Sequence, residues 1–195
     1  FSGLLLAMDK SLSGLNFDYG NKENSPPSFF YDSDGNYAVT YYYGKSYNLL
    51  LWKIDEKTHK PIMAHDTDHK ASRVAISAEG DWVFSAFENE LTVWKINGDK
   101  LDKIVSYKID QIINQIIPNN NGSMVLVEDT SERIRLYENN QGSFELAASQ
   151  EKNGSFLAGI FTAPSIQAAE GFAFHPHGNA IIRGDREGNV TSFLI

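Results

Sequence analysis

Short apolar runs alternate with polar turns along most of this chain, and the alternation is clearest in its closing stretch, Gly171–Ile195. Three apolar runs there are separated by polar segments at 175–179 and 185–188. Runs this short, bounded by Gly, Asn, Asp and Pro, favour β-strands over helices, which need a longer stretch with a 3.6-residue period. The closing stretch therefore predicts a meander of three strands.

The same arrangement recurs three times upstream, so the chain is a set of repeats. Each block has an apolar strand, a polar turn ending near a glycine, a second strand, another polar turn, and a third strand that carries an aromatic residue. The four blocks are Phe29–Asp55, Arg73–Asn97, Ile113–Asn139 and Gly171–Ile195. Their glycines are Gly35, Gly80, Gly122 and Gly178, and their aromatic residues are Trp52, Trp94, Tyr137 and Phe193.

The spacing of these landmarks indicates the size of one unit. The glycine and the aromatic residue of a block are 17, 14, 15 and 15 residues apart, and successive aromatic residues are 42, 43 and 56 apart. A period of about 40–45 residues with three or four strands per unit is typical of a β-propeller blade. More polar fourth strands are expected at 60–64, 101–109 and 144–149.

The pattern predicts one all-β domain over residues 1–195. The expected blades are a partial one at 1–20 and four more at 28–64, 73–109, 113–149 and 171–195, with an insertion at 153–170 that lengthens the last interval. The stretch Asp110–Ile117 also fits helical spacing, but Pro118 and the three asparagines after it stop a helix there. We expect this stretch to be a short turn that runs into a strand.

Two short motifs in these blocks resemble those of the WD-repeat β-propeller family. Residues 174–178, FHPHG, stand where the family has Phe-Ser-Pro-Asp-Gly. Trp52-Lys53 and Trp94-Lys95 stand in the place of its Trp-Asp dipeptide, with lysine replacing the aspartate. The resemblance covers nearly the whole chain from about residue 28, and each repeat matches loosely.

The family also places a histidine before the first strand of a blade and an aspartate in the turn between the second and third strands. His65 or His69 is the candidate for that histidine in the second block, where Glu88-Asn89 replaces the aspartate. Asp129 and Asp185 occupy the aspartate turn in the third and fourth blocks. No block keeps the complete set of His, Asp and Trp.

The resemblance implies that the chain is the C-terminal part of a larger propeller. The chain begins and ends on a third strand, and rings of this family usually have seven or more blades, against the four to five predicted here. We therefore expect another segment of the same protein, or another protein, to complete the ring and to pair with the apolar strand at 189–195. The resemblance also implies a non-catalytic scaffold for protein–protein interactions, and the alternative is a lactonase-like hydrolase with a metal in the propeller channel.

Composition narrows the range of partners. The net charge is −8, the sequence pI is about 5.1, and no local basic patch is present, which disfavours nucleic acid as a partner. No apolar run is long enough to cross a bilayer, so no membrane partner is expected. The absence of cysteine excludes disulfides, thiolate metal sites and cysteine nucleophiles, and it favours a reducing compartment. We therefore expect a cytoplasmic protein.

Three polar clusters have ligands that a metal site could use, but each is better explained as a loop. His65–His69 offers two His at i and i+4, which suits zinc only on a helix, and we expect this segment to be a loop connecting two blades. Asp32–Asn36 has its glycine fourth, whereas an EF-hand loop needs it sixth, so it predicts a β-turn. His175 and His177 also fall in a predicted turn. No catalytic, cofactor-binding or metal-binding residue is therefore predicted.

Contacts with a partner are expected at the loops that precede first strands and at the turns between second and third strands. Tyr43 joins this set because it belongs to the aromatic cluster 41–43, and tyrosine combines apolar area with a polar group at interfaces. The candidate contact residues are Tyr43, His65, His69, Arg73, Glu88, Asp129, Arg133, Asp185 and Arg186.

Overall fold

The computed structural model describes residues 29–41, 48–140, 143–150, 169–175, 180–185 and 190–194, which contain fifteen β-strands and no helix. The strands form four antiparallel sheets, each built from strands that are consecutive in the chain. The predicted all-β fold is thereby confirmed. The partial blade expected at 1–20 lies outside the described residues, as does the expected insertion up to residue 168.

Three sheets have four strands, and three strands of the fourth are described. The first sheet comprises β1 (Phe29–Tyr31), β2 (Tyr37–Tyr41), β3 (Asn48–Ile54) and β4 (Pro61–Lys70). The second comprises β5 (Arg73–Ile76), β6 (Trp82–Phe87), β7 (Glu90–Asn97) and β8 (Lys100–Lys108). The third comprises β9 (Ile113–Pro118), β10 (Met124–Asp129), β11 (Ile134–Asn140) and β12 (Ser143–Gln150). The fourth comprises β13 (Ala169–Phe174), β14 (Ala180–Asp185) and β15 (Val190–Leu194).

Successive sheets pack face to face, and their buried side chains form three apolar clusters. Both faces of the second sheet are covered, so four successive residues in the middle of β6 are buried and the strand lacks polar alternation. The cluster between the first and second sheets includes Leu51 and Trp94, the next includes Phe84 and Val127, and the last includes Leu136 and Ile181.

A buried polar side chain closes the turn between the first and second strands of each four-stranded sheet. Asp32, Ser77 and Asn119 are each at most 7% exposed, and each accepts the backbone N–H of the residue five positions later, at 3.2, 3.0 and 2.9 Å. The glycine three positions after each has φ between 68° and 73°, a conformation that glycine adopts readily. The repeated glycine of the sequence is therefore required by the turn. His175 takes the same place in the fourth sheet, where its N–H donates to the Ala180 carbonyl at 2.8 Å.

A hydrogen bond from an indole to a hydroxyl recurs in the first two sheets. Nε1 of Trp52 donates to Oγ1 of Thr40 at 2.9 Å, and Nε1 of Trp94 donates to Oγ of Ser85 at 2.8 Å. All four side chains are buried. In both sheets the hydroxyl lies on the second strand, two residues beyond the position opposite the tryptophan. Each of these two tryptophans is thus held to the strand beside it, and Trp94 also packs in the cluster between the first and second sheets.

Each four-stranded sheet has a β-bulge at the same place in its outer strand. The register shifts beside Trp52, Trp94 and Tyr137, where the outer strand carries one extra residue. Bulges increase the local twist, and a twisted edge is a poor template for pairing with another chain. The three outer strands therefore share a feature that discourages aggregation at the rim.

The segment His65–His69 is a strand, and the prediction of a loop there is wrong. It lies on β4, which continues past the predicted end of the outer strand to Lys70. His65, Thr67 and His69 are half-buried and the residues between them are exposed, which is the alternation of a half-buried strand. A bulge opposite 48–50 and a positive φ at Asp68 accommodate the polar run within the strand.

The buried carboxyl of Asp32 gives a test of the turn caps. Burial raises its pKa, and the hydrogen bonds from Tyr37 and its neighbours only partly offset this. The folded state then binds the proton more readily than the unfolded state, so stability falls as the pH rises from 3.8 through the raised pKa. The substitution Asp32→Asn keeps an acceptor for Tyr37, as Asn119 does in the third sheet, and removes the buried charge. We expect an unfolding free energy at pH 7, measured in urea, that equals the wild-type value or exceeds it by up to about 1 kcal/mol.

The matched control is Asp34→Asn, an exposed carboxylate in the same turn, for which we expect little change. The decline of the unfolding free energy between pH 4 and 7 should persist in this control and should be smaller in Asp32→Asn. A loss of more than about 1 kcal/mol in Asp32→Asn would contradict the proposed balance between burial and hydrogen bonding.

Candidate interaction surface

The connection between the second and third sheets, Ile109–Asn114, is fastened on both sides by hydrogen bonds. The N–H of Ile109 donates to the Asn89 carbonyl at 2.9 Å, and Asn89 Nδ2 donates back to the Ile109 carbonyl at 2.8 Å. Ile113 N–H donates to the Glu88 carbonyl at 2.8 Å. On the other side, Thr130 N–H donates to the Ile112 carbonyl at 2.8 Å. The connection is therefore held between the β6–β7 turn and the β10–β11 turn.

Two arginines add contacts from the neighbouring elements. Arg73, at the start of β5, donates from Nε to the Asn114 carbonyl at 2.7 Å. Arg133 Nη1 lies 3.4 Å from Oδ2 of Asp110. The 109–114 connection is thus tied to three separate parts of the two sheets, which fixes its backbone before any partner arrives.

One large apolar side chain is exposed at this connection. Ile112 is 55% exposed, whereas the next residue, Ile113, is buried and begins β9. Consecutive residues of a strand point to opposite faces, so two adjacent isoleucines cannot both enter the same core. The term platform is used below for the surface formed by Arg73, Glu88, Asp110, Ile112, Asn114, Glu128, Thr130, Glu132 and Arg133.

Asp129 fixes the turn that borders the platform. Its Oδ1 accepts the Ser131 N–H at 2.9 Å, the Ser131 hydroxyl at 2.5 Å and the Arg133 N–H at 3.1 Å. Its Oδ2 accepts Nη1 of Arg135 at 2.7 Å, and both members of this ion pair are buried. Burial alone would raise the pKa of Asp129, but the bonds from Ser131 and Arg135 outweigh it and hold the pKa below its ordinary value. This side chain supports the surface from beneath.

Carboxylates predominate around Ile112. Glu88, Asp110, Glu128 and Glu132 belong to the platform, against two arginines. Burial raises the pKa of Glu128, and the nearby charges of Glu132 and Asp129 act in the same direction, against a hydrogen bond from Asn114. The rim of the platform is therefore acidic, in keeping with the charge of −8 on the whole chain.

The two predicted histidines lie on β4, which faces the second sheet. Nδ1 of His65 accepts the Leu101 N–H at 3.0 Å. Nε2 of His69 is 3.2 Å from Oγ1 of Thr92, and its ring meets that of Trp94 edge-on, with centroids 5.1 Å apart. Burial, and then the charge of Lys103, lower the pKa of His69. Both rings are engaged in joining the first two sheets.

The structure brings together four of the nine predicted contact residues. Arg73, Glu88, Asp129 and Arg133 surround the 109–114 connection, while the two histidines belong to the contact between the first two sheets. Tyr43 and Arg186 lie outside the described residues, and Asp185 ends β14, where only its backbone is described. The prediction missed six residues of the platform: Asp110, Ile112, Asn114, Glu128, Thr130 and Glu132. The adjacent pair of isoleucines was the signal in the sequence that pointed to the first three of these.

The described part of the chain holds no group of three or more His, Cys, Asp or Glu side chains placed to bind a metal ion. Within the same ranges, no helix is long and apolar enough to cross a membrane.

A cavity of about 590 Å³ opens at the end of the first sheet, beside Tyr37, Lys53 and Ile62. The amino group of Lys53 is 3.2 Å from Asp99, so this charge is paired within the structure.

No protein-family model matches this sequence, and no curated protein matches it. Solved structures do share its fold. The β-propeller domain of Cps50 (Swd1) from Myceliophteria thermophila is 11% identical with a TM-score of 0.61, over 89% of this chain and 54% of that one. Sqt1 of Saccharomyces cerevisiae is 12% identical with a TM-score of 0.60, over 84% and 43%. The periplasmic gluconolactonase PpgL of Pseudomonas aeruginosa is 13% identical with a TM-score of 0.59, over 88% and 50%.

These likenesses show that the chain has a β-propeller fold, as predicted. The chain spans about half the length of the structures that it matches. The matched structures include a gluconolactonase and two proteins whose names denote no enzyme activity. The likeness of fold therefore does not indicate a single function.

The ion pair beneath the platform gives a test of its rigidity. The substitution Asp129→Asn leaves the Arg135 guanidinium buried without its counter-charge, and we expect a loss of about 3–5 kcal/mol in unfolding free energy at pH 7. The depressed pKa means that this stabilisation is complete above the ordinary pKa of aspartate and is lost as the pH falls through the folded value. The difference in unfolding free energy between the wild type and Asp129→Asn, measured in urea, should therefore become smaller as the pH is lowered.

The matched control is Asp110→Asn, which removes an ion pair whose carboxylate is 81% exposed. We expect this variant to change stability by no more than about 0.5 kcal/mol. Equal losses in the two variants would show that the buried pair has no special role.

Proposed function

We propose that this chain is part of a non-catalytic, WD-repeat-like propeller scaffold that binds another protein through the platform. The observation that carries the proposal is the exposed Ile112 on a connection whose backbone is hydrogen-bonded to both adjacent sheets. An exposed apolar side chain within a polar rim is the arrangement of an interface centre. Three of the residues predicted from the sequence alone, Arg73, Glu88 and Arg133, belong to the platform, and a fourth, Asp129, is buried beneath it.

The fixed backbone favours binding because little conformational entropy is lost when a partner docks. Ordering a flexible loop on association costs free energy, and a connection already held at Asn89, Glu88 and Thr130 avoids this cost. Apolar anchors near the centre of an interface contribute most of the binding energy, while the polar rim excludes water. Ile112 is placed to be such an anchor.

Charge defines the partner more closely. The platform has four carboxylates, and its two arginines are already bonded, Arg133 to Asp110 and Arg73 to the Asn114 carbonyl. Electrostatic complementarity selects a partner of opposite sign and speeds its approach. We therefore propose a partner segment with an apolar residue flanked by lysine or arginine. Neither a nucleic acid nor a membrane surface fits this acidic rim.

We further propose that another segment of the same protein, or another protein, supplies the remaining blades. Support comes from the share of the matched structures that the chain spans, which is about half. The cytoplasmic location and the division into five blades stay predictions from the sequence.

The alternative function is a lactonase-like hydrolase. The observation that supports this alternative is the likeness of fold to a gluconolactonase. Turnover of a gluconolactone by the purified intact protein would refute the non-catalytic proposal, and metal analysis of the same sample would show whether an ion takes part.

The platform can be tested with an array of peptides in which a leucine is flanked by lysine and arginine or, in a matched set, by aspartate and glutamate. We expect the basic set to bind the intact protein and Ile112→Ala to weaken that binding about tenfold, since truncating an interface anchor costs more than about 1 kcal/mol. The matched control is Ile62→Ala, an isoleucine of similar exposure, 57%, on β4. Equal effects of the two substitutions, or stronger binding of the acidic set, would refute the surface assignment.

A further inference from the structure

Three polar contacts attach the tip of the β7–β8 hairpin to the first sheet. The Tyr37 hydroxyl donates to the Gly98 carbonyl at 3.2 Å, and Lys53 Nζ lies 3.2 Å from Oδ1 of Asp99. The third contact is the Leu101 N–H, which donates to Nδ1 of His65 at 3.0 Å. Leu101 is 4% exposed and belongs to the apolar cluster between the two sheets. The hairpin tip therefore closes the outer end of this cluster.

The His65 contact has a feature that the other two lack. Its acceptor is a ring nitrogen and its donor is a backbone N–H, so the ring must carry its single proton on Nε2. A protonated imidazole has an N–H at both nitrogens and accepts no hydrogen bond. The backbone N–H of Leu101 cannot reverse its role. Protonation of His65 and this hydrogen bond therefore exclude each other.

His69, on the same strand, provides a contrast. Its Nε2 faces the Thr92 hydroxyl, which in turn lies 2.9 Å from the Ser106 hydroxyl. Hydroxyl groups both donate and accept, so this chain of bonds can reverse its direction when the ring gains a proton. Protonation of His69 keeps its hydrogen bond, although burial and Lys103 oppose the charge.

The charged groups near the two rings come from several elements. Around His65, Lys100 and Asp102 flank Leu101 on β8, and Asp102 accepts a bond from Asn97 at 2.9 Å. Lys53 of β3 is paired with Asp99. Around His69, Glu90 of β7 and Lys103 of β8 act in opposite directions on the ring, with the larger effect from Lys103.

On β4 itself, the neighbouring carboxylate of Asp66 accepts bonds from Asn48 Nδ2 at 2.8 Å and from the Asp68 N–H at 3.0 Å. The carboxylates next to His65 in the chain and beside Leu101 thus have other hydrogen-bond donors.

We propose that His65 makes the attachment of the β7–β8 hairpin tip acid-sensitive, so that protonation of its ring releases the Leu101 N–H and loosens the outer end of the contact between the first two sheets. The Tyr37 and Lys53 contacts do not depend on an imidazole and keep the tip tethered. The change is a local opening at the rim of the propeller that exposes part of the cluster around Leu101. This inference does not rest on the proposed platform, which lies between the second and third sheets.

The size of the effect follows from the competition between a ring proton and the Leu101 N–H for the same nitrogen, Nδ1 of His65. If the closed state requires a neutral ring and the open state exposes it to water, lowering the pH from 7.5 to 5.5 increases the open population about tenfold.

The test is hydrogen exchange at the Leu101 amide in the intact protein, with protection factors corrected for the intrinsic pH dependence of exchange. We expect about a tenfold loss of protection between pH 7.5 and 5.5 in the wild type. In His65→Asn, the amide oxygen accepts the Leu101 N–H at every pH, so protection should be constant. The matched control is His59→Asn, an exposed histidine with φ of 54° in the β3–β4 turn, which should behave as the wild type.

A second variant distinguishes pH-dependent release of the Leu101 N–H from a general weakening of the hairpin attachment. Tyr37→Phe removes a contact that does not involve an imidazole, so it should lower protection by the same factor at both pH values and keep the tenfold pH dependence. A wild-type protection factor that does not change with pH would overturn the proposal. So would the same pH dependence in His65→Asn as in the His59→Asn control.

Discussion

The structure depends on the requirement that each sheet be covered on its apolar faces by its neighbours. Four-residue buried runs such as the middle of β6 have no exposed side, so these strands are unstable in any arrangement that leaves one face in water. The third-strand aromatic residue is central to this covering. Trp94 packs in the cluster between the first two sheets, and Tyr137 does so in the cluster between the second and third.

A ring from the preceding outer strand completes each of these contacts. His69 of β4 meets Trp94 edge-on, and Tyr107 of β8 stacks on Tyr137 with centroids 5.2 Å apart. The outer strands β4 and β8 therefore do more than form the rim, because each packs one ring against the next sheet. This role explains why β4 continues through the polar segment that the sequence placed in a loop: ending the strand at residue 64 would remove both histidines from the second sheet.

The all-β fold could be predicted from the sequence because turn glycines and apolar runs are local signals. Partners across strands were harder to predict. Trp52 and Thr40 are 12 residues apart and Trp94 and Ser85 only 9, because the intervening turns differ in length, although the register of the two pairs is the same. The platform could be predicted only in part. Arg73 and Glu88 are recognisable as residues next to turns, but their contact with the 109–114 connection depends on how the second and third sheets pack.

Equivalent positions in the second and third sheets have different chemistry. At the position two residues before the third-strand aromatic residue, the second sheet has Thr92, bonded to His69, and the third has Arg135, bonded to Asp129. In the second sheet, Ser85 supplies the hydroxyl that accepts the hydrogen bond of the Trp94 indole. In the third sheet, Val127 occupies the position equivalent to Ser85. Apolar packing sets the spacing of the sheets, so these polar positions are free to vary. The acid-sensitive contact that we propose at His65 and the turn fixed by the Asp129–Arg135 ion pair can therefore occur in different copies of the same repeat.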